Sequence, residues 1–416
     1  MKPFFTARRT FLFLQGPPGA FFARLGAELA VRGHRVHRIN FHGGDRRNWP
    51  GPATDFRGRA ETWPSFFDNF TRDHGVTDLV LFGDCRPMHR IAHGIAKLAG
   101  LRTHVFEEGY IRPDWVTLEL DGVNGHSTLS RDPRWFLEAA RNLPPVPALP
   151  PVPSSFDRRA REALTYYTAF VLGKPRFPHY RSHRPGSVTL EGLSWLVRLA
   201  KRKRGRARAE ALFAAIRDSS YFVFPLQLNS DHQIRVHSPF GDMKVAIAYV
   251  IENFARAAPP DTNLIVKQHP LDNGLFNWRR LVSRQAAARG VADRVIFLED
   301  GDIDAMVKGA EGVVTVNSTT GTLALGAGIP VAVLGQAVYH IPGITHQGAL
   351  DSFWRAPERP DPLIYDAFYR VLVDRCLVRG GFTSDEALTL LVQGSVRRLT
   401  EGFDGRVSIA PEPERR

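Results

Sequence analysis

Apolar runs of four to six residues recur along the chain, each stopped by Gly, Pro or polar residues and each followed by about a dozen residues with helical spacing. TFLFLQ (10–15) runs into the turn GPPGAFF, then into ARLGAELAVRG, where Gly33 reads as a helix cap. HRVHRINF leads into HGGD at 42–45, VTDLVLFGD into a helix from Pro87 to Gly100, and THVFEEG closes this first series. A second series opens at Tyr221 with YFVFPLQLNSD. It continues through a helix Met243–Ala258, NLIVKQHPLDNG, a helix to Arg289, RVIFLED, a helix near Ile303–Ala310, GVVTVNSTTGTLALGAG and PVAVLG. Strands alternating with helices predict βαβ units on parallel sheets, so the fold class is α/β with two doubly wound, Rossmann-like halves.

Between the halves lies PPVPALPPVPSSF (144–156), whose six prolines mark a semi-rigid linker. Helical stretches are predicted at 157–173 and 190–217, and the tail from Asp351 reads as helices returning to the N-terminal half. The expected domains are 1–155, a helical connector 156–217, a second Rossmann-like domain 218–350, and C-terminal helices 351–416.

The chemistry concentrates where strands end. In VFEEGYIRPDW (105–115), Glu107 and Glu108 leave an apolar strand directly before Gly109. Because side chains alternate along a strand, one carboxylate faces a cleft while the other is tied back into the scaffold. In the second half, NLIVKQ delivers His269 and Pro270, a neutral-pH donor with a fixed backbone behind it. RVIFLED delivers Glu299 and Asp300, acceptors suited to ribose hydroxyls, and GVVTV delivers Asn317, Ser318, Thr319 and Thr320 to a helix start, where free amides attract phosphate. Gln227 in FPLQLNSDHQ has a similar placement, and the turn from Gly16 to Gly19 stands at a helix start but lacks G-x-G-x-x-G spacing.

Composition narrows the partners. The 416 residues carry a net charge of +13, which favours an anionic partner, and seven of the eleven residues from Arg198 to Arg208 are Lys or Arg. That run is either a solvated helix face or a patch for anionic headgroups, at roughly 1 kcal/mol per basic residue. It lacks interleaved aromatics, and nothing matches a groove-reading module, which argues against nucleic acid. The only cysteines, Cys85 and Cys376, offer neither a disulfide framework nor a cysteine metal site and fit a reducing cytoplasm. No stretch approaches the ~20 apolar residues of a membrane span, so membrane contact is expected to be peripheral. No Asp-x-Asp pair sits at a strand end to hold a divalent ion, and the histidines at 34, 37, 42, 89, 93 and 104, without ligand spacing, are read as surface or cleft residues.

Five motifs in order, GPPGAFF, EEGYIRPDWVTLE, FPLQLNSDHQI, the HP pair, and VNSTTGTLAL with GIPVAVLGQAVYHIPGITHQG, resemble bacterial capsule polysaccharide proteins of the KpsS/LipB type over residues 10–355. That resemblance extends to retaining β-Kdo transferases and to sialyltransferases of the GT-B fold. It implies CMP-Kdo as donor and a phosphatidylglycerol-type lipid as acceptor, at the inner face of the cytoplasmic membrane, with capsule assembly or export proteins as further partners and no metal or other cofactor. Carried across by motif, Glu108 is the catalytic carboxylate, Glu107 its neighbour, His269 the contact to the CMP phosphate, and Ser318 and Thr319 its caps. Pro270, Asn317, Gln227, Glu299 and Gly16 complete the expected donor site. Two other readings stand beside it: a transferase of the same fold using another CMP-sugar such as sialic acid, and a non-catalytic polysaccharide export or binding protein.

Overall fold

The computed structural model describes residues 8–182, 204–229 and 231–401. The basic run is therefore described only from Arg204 onward, where a helix covers 204–216, and the helical expectation over 190–203 lies outside the described residues. The chain forms two compact units, one of Met1–Thr128, Ala140–Arg181 and Tyr369–Arg416, the other of Leu129–Ala139 and Ser182–Phe368.

The first unit is built on a seven-stranded sheet of β1 (Thr10–Phe13), β2 (Arg35–Asn40), β3 (Thr54–Asp55), β4 (Asp78–Phe82), β5 (Arg102–Glu108), β6 (Trp115–Leu120) and, late in the chain, β12 (Leu377–Arg379). Their order is β12-β6-β5-β4-β1-β2-β3. Strands β1 to β5 pair in parallel, whereas β6 returns antiparallel on β5 and β12 lies antiparallel on β6. The expected purely parallel sheet is thus corrected at this edge. WVTLEL reads in sequence as the tail of a motif, but its alternation is that of a strand, and Gly109 makes the hairpin possible. A Cβ at Gly109 would lie 2.0 Å from the Trp115 carbonyl oxygen.

Strand period two sorts the core of this unit onto two faces. Phe11, Phe13, Val80, Phe106 and Leu118 meet helices Phe21–Val31 and Asp385–Glu401, while Leu12, Leu14, Leu79, Leu81 and Val105 meet helices Trp63–Asp73 and Pro87–Leu98. The helix Phe156–Leu172, expected in a separate connector, belongs to this unit and packs on the short helix Gly43–Asn48. The contact is backbone on backbone, since a Cβ on Gly43 would stand 2.0 Å from the Ala169 carbonyl oxygen and 2.9 Å from Gly173 Cα. Gly43→Ala is expected to push these helices apart and cost about 1–3 kcal/mol, read as a lower urea midpoint at unchanged slope.

At the end of β4 remote from the motifs, Asp78 is wholly buried and collects Arg9 Nε (2.8 Å), Arg102 Nε (2.9 Å), His104 Nε2 (2.8 Å) and Thr77 Oγ1 (2.7 Å). Burial would raise its pKa, but the hydrogen bonds from His104, Arg9 and Arg102 outweigh that and hold the carboxyl well below the usual range. His104 is one of four histidines that correct the reading of these residues as surface or cleft residues. His34, His42, His89 and His104 are all buried, and burial holds His34, His42 and His104 toward the neutral form. His42 Nδ1 accepts from the Gly44 and Asp45 amides as a helix cap, and His89 Nδ1 donates to the Gly83 carbonyl at 2.7 Å. Their spacing showed no ligand pattern because each is engaged with the scaffold.

The second unit carries β7 (Tyr221–Pro225), β8 (Asn263–Lys267), β9 (Val295–Leu298), β10 (Gly312–Thr315) and β11 (Val331–Val333), in the order β11-β10-β7-β8-β9, all parallel. Phe222, Phe224, Leu264, Val266 and Val314 pack under the helix Met243–Ala257, and Trp354 closes the cluster with its ring 4.9 Å from that of Phe222. Helix Leu350–Arg355 therefore belongs to this unit, and the boundary expected at 351 moves to Tyr369.

Candidate functional site

Strand β5 carries the paired acids to the carboxyl end of the first sheet, both half-buried, and they diverge as strand geometry requires. The Glu107 carboxylate folds back on its own chain, with Oε1 accepting from the Glu108 amide at 3.0 Å. Its Oε2 stands 3.2 Å from where a Gly83 Cβ would be, and Gly83 turns at φ +71° on leaving β4. Glu108 points the other way, its Oε1 accepting from Arg159 Nη2 at 3.0 Å. Arg159 thus leaves the helix Phe156–Leu172 to hold the motif carboxylate in place, a role that basic residue offers no sign of in sequence.

On the Glu107 side lies a second group that sequence reasoning missed. Asp84 is buried, and its Oδ2 accepts from the Val123 amide (3.2 Å) and from His126 Nδ1 (3.0 Å) while Oδ1 accepts from Cys85 Sγ (3.2 Å). Below them Glu119 takes a hydrogen bond from Tyr110 Oη and another from Ser127 Oγ, each 2.5 Å, and Tyr110 Oη accepts from the Asn124 amide at 2.6 Å. Burial raises the Glu119 pKa against the lowering effect of Ser127 and Tyr110. Asp84, Cys85 and His126 bring potential metal-binding atoms within 4.8 Å of one another. Burial and the neighbouring Asp84 push the Cys85 thiol up. The signal available in sequence was GHS (125–127), which begins five residues past the end of a strand that was not recognised.

The Gly16 turn packs against the Phe22 ring, which a Cβ on Gly16 would meet at 2.8 Å. Arg86 Nη1 donates to the Gln15 and Gly16 carbonyls at 3.3 and 3.4 Å, and the buried Arg38–Asp45 pair at 3.2 Å lines a small cavity beneath the turn with Tyr166.

In the second unit, four strand ends in a row hold the predicted donor residues: β10 (Asn317, Ser318, Thr319), β7 (Gln227), β8 (His269, Pro270) and β9 (Glu299). Ligands of open α/β sheets sit outside such carboxyl ends. His269 Nδ1 accepts from the Leu271 amide at 3.0 Å, which makes Nε2 the protonated, donating nitrogen of the neutral ring. Pro270 is exposed, and Asp272 braces the loop by accepting from Gln268 Nε2, the Gly274 amide and Trp278 Nε1. Lys267, buried at the end of β8, donates to the Gln268 carbonyl at 3.0 Å.

Gln227 and Asn317 bond each other twice, Gln227 Nε2 to Asn317 Oδ1 at 2.8 Å and the Asn317 amide to Gln227 Oε1 at 3.2 Å. Asn317 Nδ2 goes on to the Gln233 carbonyl at 2.8 Å, so this pair laces three segments together behind the site. Just before the helix Thr320–Gly326, Ser318 Oγ accepts from the Thr320 amide at 3.2 Å. Thr319 occupies the N-cap position without a side-chain cap bond. Tyr339, unremarked in sequence, donates to the Ser318 carbonyl at 2.5 Å, and its hydroxyl stands 2.4 Å from a would-be Gly321 Cβ. Glu299 is paired with Arg279 Nη2 at 2.9 Å rather than standing alone as a ribose acceptor.

The sequence model of a family described as "Capsule polysaccharide biosynthesis protein" matches residues 77–383. The chain is 34% identical over 385 residues to "Capsule polysaccharide modification protein LipB" of Neisseria meningitidis serogroup B, covering 90% of this chain and 91% of that protein. It is 33% identical over 368 residues to "Capsule polysaccharide export protein KpsS" of Escherichia coli, covering 86% and 93%. Among solved structures it is similar to Thermosulfurimonas dismutans KpsC, a beta Kdo 2,7 transferase, at 15% identity and TM-score 0.43, covering 92% of this chain and 99% of that one.

Proposed function

The chain belongs to the capsule polysaccharide biosynthesis protein family, and from that premise we propose that it is a glycosyltransferase moving Kdo from CMP-Kdo to a phosphatidylglycerol-type lipid at the inner face of the cytoplasmic membrane. The observation that carries this reading is the Glu107–Glu108 pair at a sheet's carboxyl end, with Glu107 folded back on the chain and Glu108 oriented by Arg159. Breaking the bond from sugar to phosphate develops positive charge on the sugar and negative charge on the departing CMP. A carboxylate therefore belongs on the sugar side and hydrogen-bond donors on the phosphate side.

Glu108 serves as nucleophile if the configuration is retained and as general base if it is inverted. His269, donating from Nε2, and the amides beyond Ser318 supply the phosphate side. A formal charge of +13 suits two anionic substrates. No helix among the described residues is long and apolar enough to cross a membrane, so the lipid is met from the surface.

The test is incubation with CMP-Kdo and a fluorescent phosphatidylglycerol analogue, followed by mass analysis for a gain of one or more Kdo units. No gain with that pair but a gain from CMP-sialic acid replaces the donor; no gain from either sinks the enzyme reading. His269→Ala is expected to weaken CMP binding about tenfold to hundredfold, the ~1.5–3 kcal/mol of a hydrogen bond to a charged group, measured by calorimetric titration.

A further inference from the structure

We propose that the outer face of the helix Phe156–Leu172 is the surface by which the protein docks on an anionic lipid bilayer, its apolar side chains entering among the headgroups. This inference rests on the lipid-acceptor reading above and adds to it the face that meets the membrane.

The helix has two apolar sides. On the inner one, Tyr166 is buried against His42 with rings 5.3 Å apart, the Phe170 ring lies 5.0 Å from the same imidazole, and Ala169 meets Gly43. At 3.6 residues per turn, the outer side carries Phe156, Ala160, Leu164 and Val171, with Leu172 at its edge. Phe156 is 61% exposed, Leu164 68% and Leu172 75%, so these side chains stand in water although the helix already has a packed side. Single exposed apolar residues are ordinary, but a row of them along one helix face marks a contact surface.

The surrounding charge names the occupant. Residues 156–181 hold six Lys or Arg against two acids, and Arg161 and Lys174 are exposed at the border of the row. Just past the helix, Arg176 Nε reaches Asp55 at 2.6 Å, where Arg46 Nη1 (3.0 Å) and Arg57 Nη2 (3.7 Å) converge as well. Three guanidiniums, each about half exposed, share that one carboxylate, so this end of the helix presents net positive charge. An apolar row bordered by basic side chains suits a helix lying in a bilayer interface, where the row enters the acyl boundary and the cations meet lipid phosphates.

The placement also serves the acids of β5. Arg159, one residue before Ala160 and therefore a little over a quarter turn from it, leaves the same helix on another side to hold Glu108. A helix with its side chains is ~10–12 Å thick, so a bilayer on the outer face stands on the order of that distance from the motif carboxylate. The hydroxyl of a lipid headgroup is thereby brought near Glu108 while the acyl chains stay in the bilayer.

The experiment is co-sedimentation of the full chain with vesicles of phosphatidylcholine alone or mixed with phosphatidylglycerol. The wild-type protein should bind the mixed vesicles in preference and release them as salt is raised. Phe156→Ser, Leu164→Ser and Leu172→Ser combined should weaken that binding by about 10²-fold or more, and Arg161→Gln with Lys174→Gln by about 10–30-fold. Both variants should keep the wild-type melting temperature and CMP affinity. Undiminished binding by the serine variant overturns the proposal, as does a wild-type protein that ignores anionic vesicles. A wild-type dimer that the serine variant dissociates, with no vesicle binding in either, makes a second copy the occupant and overturns it too. The substrate reading is judged separately. Vesicle binding that depends on this row, without Kdo transfer in the assay above, keeps the docking face and removes that reading. Kdo transfer to lipid with undiminished vesicle binding by the serine variant does the reverse.

Discussion

Glu108→Gln is expected to lower the rate of sugar transfer by at least about 10³-fold, which is ~4 kcal/mol of barrier, while CMP affinity stays within about twofold. The substitution is nearly isosteric, and Glu108 is half-buried on a strand end, so the fold has little reason to respond. What changes is the capacity to carry negative charge toward the sugar and the ion pair with Arg159. A steady-state assay with the CMP-sugar, together with calorimetric titration of CMP, separates the two. Arg159→Gln should lose less, about tenfold, because a partly exposed pair orients its partner only loosely. A protein that merely binds and escorts polysaccharide would pass through Glu108→Gln unaltered, so undiminished function in that variant decides between the classes.

The largest expected effect on stability lies at the opposite end of β4. Asp78→Asn removes the charge that offsets Arg9, and Arg9 is largely buried, so the loss is expected to reach about 3–5 kcal/mol. Arg102 is half exposed and regains water on losing its partner, so it adds little to that figure. The sign with pH follows from the depressed pKa of Asp78 in the folded state. Its contribution is complete above the unfolded carboxylate value near 4 and is lost as pH falls below that toward the folded value. Urea midpoints of the wild-type protein and Asp78→Asn should therefore differ most near neutral pH and converge in acid. A gap that stays constant down to pH 3 would show that the carboxylate charge is not what stabilises this corner.

The same contrast explains what was legible in the sequence. Alternating strand and helix periods gave both parallel sheets, and the polar exits of β7, β8, β9 and β10 located one sheet edge. Those signals are local, carried by apolar spacing and by the residues that terminate it. The antiparallel additions were not legible, because β6 reads as part of a motif and β12 pairs with a strand more than 250 residues earlier. The buried histidines were misplaced for a related reason. A histidine that caps its own helix or donates to a distant Asp78 has no spacing signature, since its partner is chosen by the fold. Asp84 and His126 were invisible as a pair, being joined only once the loop after β6 is in place. Gln227 and Asn317 illustrate the converse, two polar residues correctly located at strand ends whose hydrogen bonds go mainly to each other and to the backbone.

Strand β12 and the helix Asp385–Glu401, which follow the second unit in sequence, complete the first, filling the edge beside β6 and covering Phe21, Leu25 and Phe106 with Leu388, Leu391 and Val392. During synthesis the second unit, almost continuous in sequence, emerges whole from the ribosome before those residues do. The earlier-made half must wait with an open strand edge and a greasy face, a template for unwanted association. Assembly order is thereby reversed relative to chain order, and the acids of β5 stand on a finished platform only after the second unit has been made.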